Sequence, residues 1–260
     1  LGHLFSEHVR VYDLVGSTWT QVGGDIDGES NGDLFGFSVA INSSGNRVVV
    51  GANSNDGNGL QAGHVRAYEL VGSTWTQLGS DIDGGVPGDN LGWDVDIDSD
   101  GDRIVIGAPT NGAGYARVYE YNGSSWVQLG NNIDGEATGD QFGLSVSINS
   151  AGDRIAVGAL NNDDGGTGAG SIRVFDWSGS AWTQVEQDID GESATDQLGV
   201  SVALNSVGDR VVGGADLSNA AQKTNSGSVY VFNRGRDGHV QAGRSKGEFT
   251  IFPLGSYEPA

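Results

Sequence analysis

The chain has 260 residues, 34 acidic and 13 basic, and its net charge of −21 excludes the cationic footprint that nucleic acids and anionic membranes require. The absence of cysteine excludes disulfides, thiolate metal sites and cysteine nucleophiles. Forty-five glycines against four prolines, beside plentiful Val, Ile, Thr, Tyr and Trp, predict many short strands joined by tight turns.

The chain opens on LGHLFSEHVRVYDL, without a basic start, an apolar core or a small-residue cleavage site, so no signal peptide is predicted. The missing initiator Met points to a processed or truncated chain. No stretch approaches the ~18 apolar residues that would span a bilayer, so membrane insertion is not expected. Two strand-like runs follow, around Val9 to Leu14 and Thr18 to Val22. The second begins the phrase GSTWTQVGGDIDGES at Gly16, which returns almost unchanged from Gly72. Trp19, Trp75, Trp126 and Trp182 are spaced by 56, 51 and 56 residues, and Asp27, Asp83, Asp134 and Asp190 keep the same intervals. The shortfall falls in one loop, because Ala108 to Arg117 spans 9 positions where Ala52 to Arg66 and Ala159 to Arg173 span 14. Surface connections tolerate such changes.

Each unit then reads as four strands. The first alternates, as in Phe35, Phe37, Val39 and Ile41 or Leu91, Trp93, Val95 and Ile97, which leaves one apolar face. The second (RVVVGA, RIVIGA, RIAVGA, RVVGGA) is apolar throughout and belongs inside a sheet. A third run alternates again and a fourth carries the tryptophan. Four antiparallel strands per ~55 residues predict an all-β fold, a β-propeller of four-stranded blades. A helical repeat fails for want of a 3.6-residue apolar period, and β-solenoid rungs are shorter. The boundaries follow: a partial blade over 1–33, blades over 34–80, 90–131 and 141–187, a partial or closing blade over 197–232, and a basic tail over 233–260. In that tail EFTIFPL is either a closing strand or part of a linker.

The segment GDLFGFSVAINSSGNRVVVGANSNDGNGLQAGHVRAYEL and its three later copies resemble FG-GAP repeats, the blades of the integrin α-subunit propeller and of many secreted proteins. The resemblance rests on Phe35-Gly36, Leu91-Gly92, Phe142-Gly143 and Leu198-Gly199, and on the GA pairs at Gly51, Gly107, Gly158 and Gly214, over about residues 8 to 233. It implies an extracellular or cell-surface location and rings usually of seven blades, so this chain is either part of a longer ring or a smaller one closed by its ends. It also implies calcium in the hairpin between the first two strands, in a D-x-D-x-D-G-x-x-D loop. Three copies, from Asn42, Asn149 and Asn205, are short turns with too few carboxylates. The fourth, WDVDIDSDGDR, supplies Asp96, Asp98, Asp100 and Asp102, with Ile104 in place of the last ligand. Alternation sets Asp94, Asp96 and Asp98 on one face, ~7 Å apart. Such oxygen-rich clusters suit Ca²⁺, so Asp94, Asp96, Asp98, Asp100 and Asp102 are candidate ligands, and a solvated acidic edge is the competing reading.

The DIDG phrases invite an acid/base reading, but a catalytic pair is needed once and these recur in every unit. They read instead as turns between blades, whose carboxylates can receive the recurring arginines. The tryptophans read as packing between blades rather than sugar platforms. The loops between second and third strands, with Asn55, Asp56 and Asn58 and then Asn162, Asp163 and Asp164, are the candidate ligand-binding rim. No shared histidine, nucleophile elbow, zinc motif or phosphate loop is present. The sequence therefore favours a non-enzymatic binding or adhesion module with a protein or glycan ligand. The alternatives are a polysaccharide-acting propeller enzyme and a self-assembling subunit of a surface filament.

Overall fold

The structure, a computed structural model, describes residues 7–218, 226–234 and 240–244. Two strands come first, β1 (His8–Val15) and β2 (Thr18–Asp27), paired antiparallel. Three like blades follow. The first holds β3 (Ser38–Ile41), β4 (Arg47–Ala52), β5 (His64–Val71), β6 (Thr74–Gln77) and β7 (Ile82–Asp83). The second holds β8 (Val95–Ile97), β9 (Arg103–Ala108), β10 (Tyr115–Tyr121), β11 (Trp126–Gln128) and β12 (Ile133–Asp134). The third holds β13 (Phe142–Ile148), β14 (Arg154–Ala159), β15 (Ser171–Trp177), β16 (Trp182–Gln184) and β17 (Ile189–Asp190). A last sheet orders β18 (Leu198–Leu204), β19 (Arg210–Ala215), β20 (Ser228–Arg234) and β21 (Val240–Arg244). The fold is thus an all-β array of antiparallel propeller blades, with no helix among the described residues.

The second strands β4, β9 and β14 are buried along almost their whole length, as their unbroken apolar sequences require. The outer strand is broken in each of the three like blades. Tyr68 pairs Gln77 and Val65 pairs Ile82, so β6 and β7 flank a bulge opposite β5, and β10 and β15 repeat the arrangement. The bulge residue has a positive φ and is Gly23, Gly79, Gly130 and, in the last copy, Glu186. Glycine has a second reason at the first three: a Cβ there would press on Trp75, Trp126 or the Trp177/Trp182 pair of the next blade. The indoles of Trp75, Trp126 and Trp182 donate to the carbonyls of Val22, Leu78 and Leu129, one blade back, so these tryptophans are inter-blade packing as expected. Trp19 has no described blade behind it and is 67% exposed.

The two glycines of the FG and GA motifs also explain each other. Added at Gly51, Gly107 or Gly158, a Cβ would run into the carbonyl of Gly92, Gly143 or Gly199 in the next blade. The backbones of adjacent blades approach too closely there for any side chain.

Two segments differ from the sequence reading. The tail read as leaving the repeat supplies β21, which pairs with β20 as the fourth strand of the last sheet. It went unrecognised because it lacks the tryptophan phrase that marks this strand elsewhere; EFTIFPL lies outside the described residues. In the first blade the alternating face is open rather than packed. Val39 and Ile41 are exposed while their counterparts Val95, Ile97, Val146 and Ile148 are buried. They line a groove of about 610 Å³ with Val9, Val11, Tyr12 and Trp19.

Candidate functional site

Asp94, just before β8, and Asp96 within it turn toward the neighbouring blade. Asp94 accepts the Val146 amide at 2.8 Å, and Asp96 accepts the Ile148 amide at 2.9 Å and the Ser147 hydroxyl at 3.0 Å. One blade on, Ser145 and Ser147 take the amides of Val202 and Leu204 in the same way. The stripe is therefore an inter-blade zipper. Burial pushes the carboxyls of both Asp94 and Asp96 above the usual range.

Asp98 caps its hairpin, with Oδ1 accepting the amides of Gly101, Asp102 and Arg103. Asn42 and Asn149 do the same for the two residues that begin their second strands, and Asn205 does so for Arg210. Burial, with the charge of Asp102, pushes Asp98 up to about 6 against those amides. Asp100 is exposed and Asp102 half-buried. Among the described residues, three potential ligand atoms come within 4.8 Å of one another at two other places: Glu29, His64 and Asp81, and Glu136, Asp164 and Asp188.

The loops between second and third strands are anchored rather than free. Asn55 is buried; its Nδ2 donates to Asp33 at 2.8 Å and its Oδ1 accepts the Gly57 amide. Asn162 is buried likewise, donating to Asp140 and Glu136 and accepting the Asp164 amide. Both side chains are thus engaged by the protein's own loops and links. Asp56 and Asp163 accept the amides of Gln61 and Gly168 within their own loops, and Asn58 donates to the Gly84 carbonyl.

The buried partners Asp33, Asp89, Asp140 and Asp196 escaped the sequence reading as anchors. Asp89 alone receives Gly85, Val86, Asn111 and Tyr115. A signal existed: Asn55, Asn111 and Asn162 each follow their aspartate by 22 residues although the loops differ in length.

The first carboxylate of each DIDG phrase sits at the bulge, and in two copies it receives an arginine from the third strand. Arg10 grips Asp25 with two bonds of 2.9 and 2.8 Å, and Arg66 grips Asp81 at the same distances. Arg66, only 8% exposed, also pairs with Glu29 of the preceding link. His64 lies beside this group, its Nδ1 4.0 Å from Asp81, and burial followed by the Arg66 charge lowers its pKa. The second blade is neutral at these positions: Gly85, Asn132 and Tyr115 replace Glu29, Asp81 and His64, and Arg117 reaches Asn132 at 2.9 Å.

In the third blade the charged residues return and the arginine moves away. Arg173 donates Nε and Nη2 to Gln184 at 3.0 and 2.8 Å and Nη1 to the Asp134 carbonyl, and lies over Phe142 and Phe175. Its Nε is 3.8 Å from Asp188. Burial, then the charge of Asp188, raises the Glu136 carboxyl, and burial with Asp188 and Asp164 raises Asp190.

The model of the FG-GAP repeat family matches residues 26–68 and 134–175. Among solved structures the chain is similar to a functionally unknown protein from Desulfotomaculum acetoxidans DSM 771, at 16% identity and a TM-score of 0.61, covering 91% of this chain and 62% of that one. It is also similar to Kuenenia stuttgartiensis hydrazine synthase, at 13% identity and a TM-score of 0.59, covering 93% and 60%. The chain thus spans about three fifths of the length of each, and at these identities the likeness is one of fold. No curated protein matches it. The meeting glycines of the FG and GA motifs, the docked tryptophans and the two matched stretches lead to one conclusion: the chain carries FG-GAP repeats, folded as β-propeller blades.

Proposed function

We propose that the chain is an extracellular or cell-surface binding and adhesion module, with calcium as a stabilising ion and a protein or glycan as ligand. The observation that carries this reading is the rim on which loops and links meet. Asn58 bonds Gly84, the Gly88 amide bonds Leu60, and Asn90 bonds Asn53, so each loop is stitched to the link leading into the next blade. The rim displays Leu60 and Val86 to solvent inside an acidic surface. A stiff rim costs little entropy on binding, and exposed apolar residues among charges provide contact area.

Arrays of glycans and extracellular proteins probed with the labelled chain test the reading. Retention of a ligand, weakened by the Leu60→Asp/Val86→Asp double variant, is expected. Retention on no array would sink it, and a glycan consumed rather than retained would point to a polysaccharide-acting enzyme instead.

The open groove between β1, β2 and β3 favours a second reading, a subunit of a surface assembly in which another polypeptide covers Val39 and Ile41. Light scattering that shows a monomer at every concentration would count against it.

A further inference from the structure

The links leaving the first and third blades are the same device with two changes. Glu136, Asp164, Ser171, Arg173, Gln184 and Asp188 each stand 107 positions after Glu29, Gly57, His64, Arg66, Gln77 and Asp81. In the first link the acidic pair is closed by the protein itself. Arg66 lies between Glu29 and Asp81, and the imidazole of His64 occupies the buried space behind them.

In the third link Gly57 is replaced by Asp164, which adds a carboxylate, and His64 by Ser171, which exchanges a ring for a small hydroxyl. Gln184 holds the arginine aside. Three carboxylate oxygens then lie within 4.8 Å of one another, and the guanidinium comes no nearer to Asp188 than 3.8 Å.

A second observation is independent of the charges. The Ser171 hydroxyl belongs to a residue with 0% exposure and has no hydrogen-bond partner, and Oδ2 of Asp188 is likewise buried without one. Asp188 is one of the three carboxylates, and the placement of Ser171 follows from the first blade. Ser171 occupies the position from which His64 approaches Asp81, and it shares a strand face with Arg173, whose Nε is 3.8 Å from Asp188. Buried polar atoms are almost always paired, so an orphan hydroxyl, and an orphan oxygen on one of three converging carboxylates, mark the place of a missing partner.

We infer that Glu136, Asp164 and Asp188, with the hydroxyl of Ser171, form a divalent-cation site on the third blade, where the links that enter and leave it meet its loop, of the hard, all-oxygen class that takes Ca²⁺. Oxygen donors without imidazole or thiolate suit Ca²⁺, which completes six to eight ligands with water and bidentate carboxylates. Asn162 prepares the site, since it bonds Glu136 and the Asp164 amide and so fixes the loop against the link. The inference gives the calcium of the proposed module a location, and rests on that reading only for calcium in the medium.

Titration calorimetry of the whole chain with CaCl₂ tests it, beside thermal melts in Ca²⁺ and in EGTA. The wild type is expected to bind one Ca²⁺ and to melt higher in its presence. Asp164→Gly, which restores the residue of the first blade at an exposed position, is expected to lose at least tenfold in affinity along with the melting shift. Asp98→Asn is expected to keep both. No Ca²⁺ binding by the folded wild type, undiminished binding by Asp164→Gly, or loss in Asp98→Asn with retention in Asp164→Gly would each overturn the inference. Ligand capture on arrays in EGTA is a separate readout, so failure of the metal site and failure of the binding module are distinguishable.

Discussion

The first and third links use one scaffold to opposite electrostatic ends. In the first, a guanidinium closes the acidic pair Glu29 and Asp81; in the third, Gln184 draws the guanidinium off and a third carboxylate joins. The second link, with Gly85 and Asn132, shows that the fold needs neither arrangement. A repeat thus separates what architecture requires, the bulge and its positive φ, from what each copy is free to change.

The largest effect should come from the arginines. Arg66→Ala removes a buried guanidinium and its two charge-assisted bonds to Asp81 and is expected to cost about 3 kcal/mol, whereas Arg173→Ala loses ring contacts and a neutral partner and should cost about 1 kcal/mol. Urea unfolding of the two variants measures the difference, and equal losses would break the comparison.

Next comes Asp98, the one carboxylate where other blades use asparagine to cap the same hairpin. Its folded pKa of about 6 lies above its ordinary value, so its contribution to stability is full below pH 4 and is lost as pH rises through 6. Asp98→Asn should therefore stabilise the fold by about 2 kcal/mol at pH 7, with the gain vanishing as pH falls to 4. Melts across that range check both the sign and the window. The smallest effect is expected from Asn132→Asp, which gives Arg117 a charged partner at a largely exposed site and should add about 0.5 kcal/mol.

The blade architecture was legible because burial writes itself into periodicity. RVVVGA and its copies could only be inner strands, and the spacing of the tryptophans gave the blade count along the chain. The partners of polar side chains were less legible. Asp94, Asp96 and Asp98 look like a ligand set in one dimension, but the facing strand β13 brings amides to Asp94 and Asp96, and the hairpin's own backbone covers Asp98. Asn55 and Asn162 look like rim residues until Asp33 and Asp140 are seen beneath them. The Glu136 cluster joins three segments of the chain, and its signal lay in two substitutions between copies, Gly57 to Asp164 and His64 to Ser171. Those become meaningful once the link is folded against the loop.

The most direct measurement is a crystal structure of the chain grown in excess calcium, with the ion located by its anomalous signal. The account predicts one calcium within about 2.3–2.6 Å of oxygens from Glu136, Asp164 and Asp188, and none between Glu29 and Asp81, where Arg66 lies. An empty third link, or a calcium bound instead at the Asp96 to Asp102 hairpin, would contradict it.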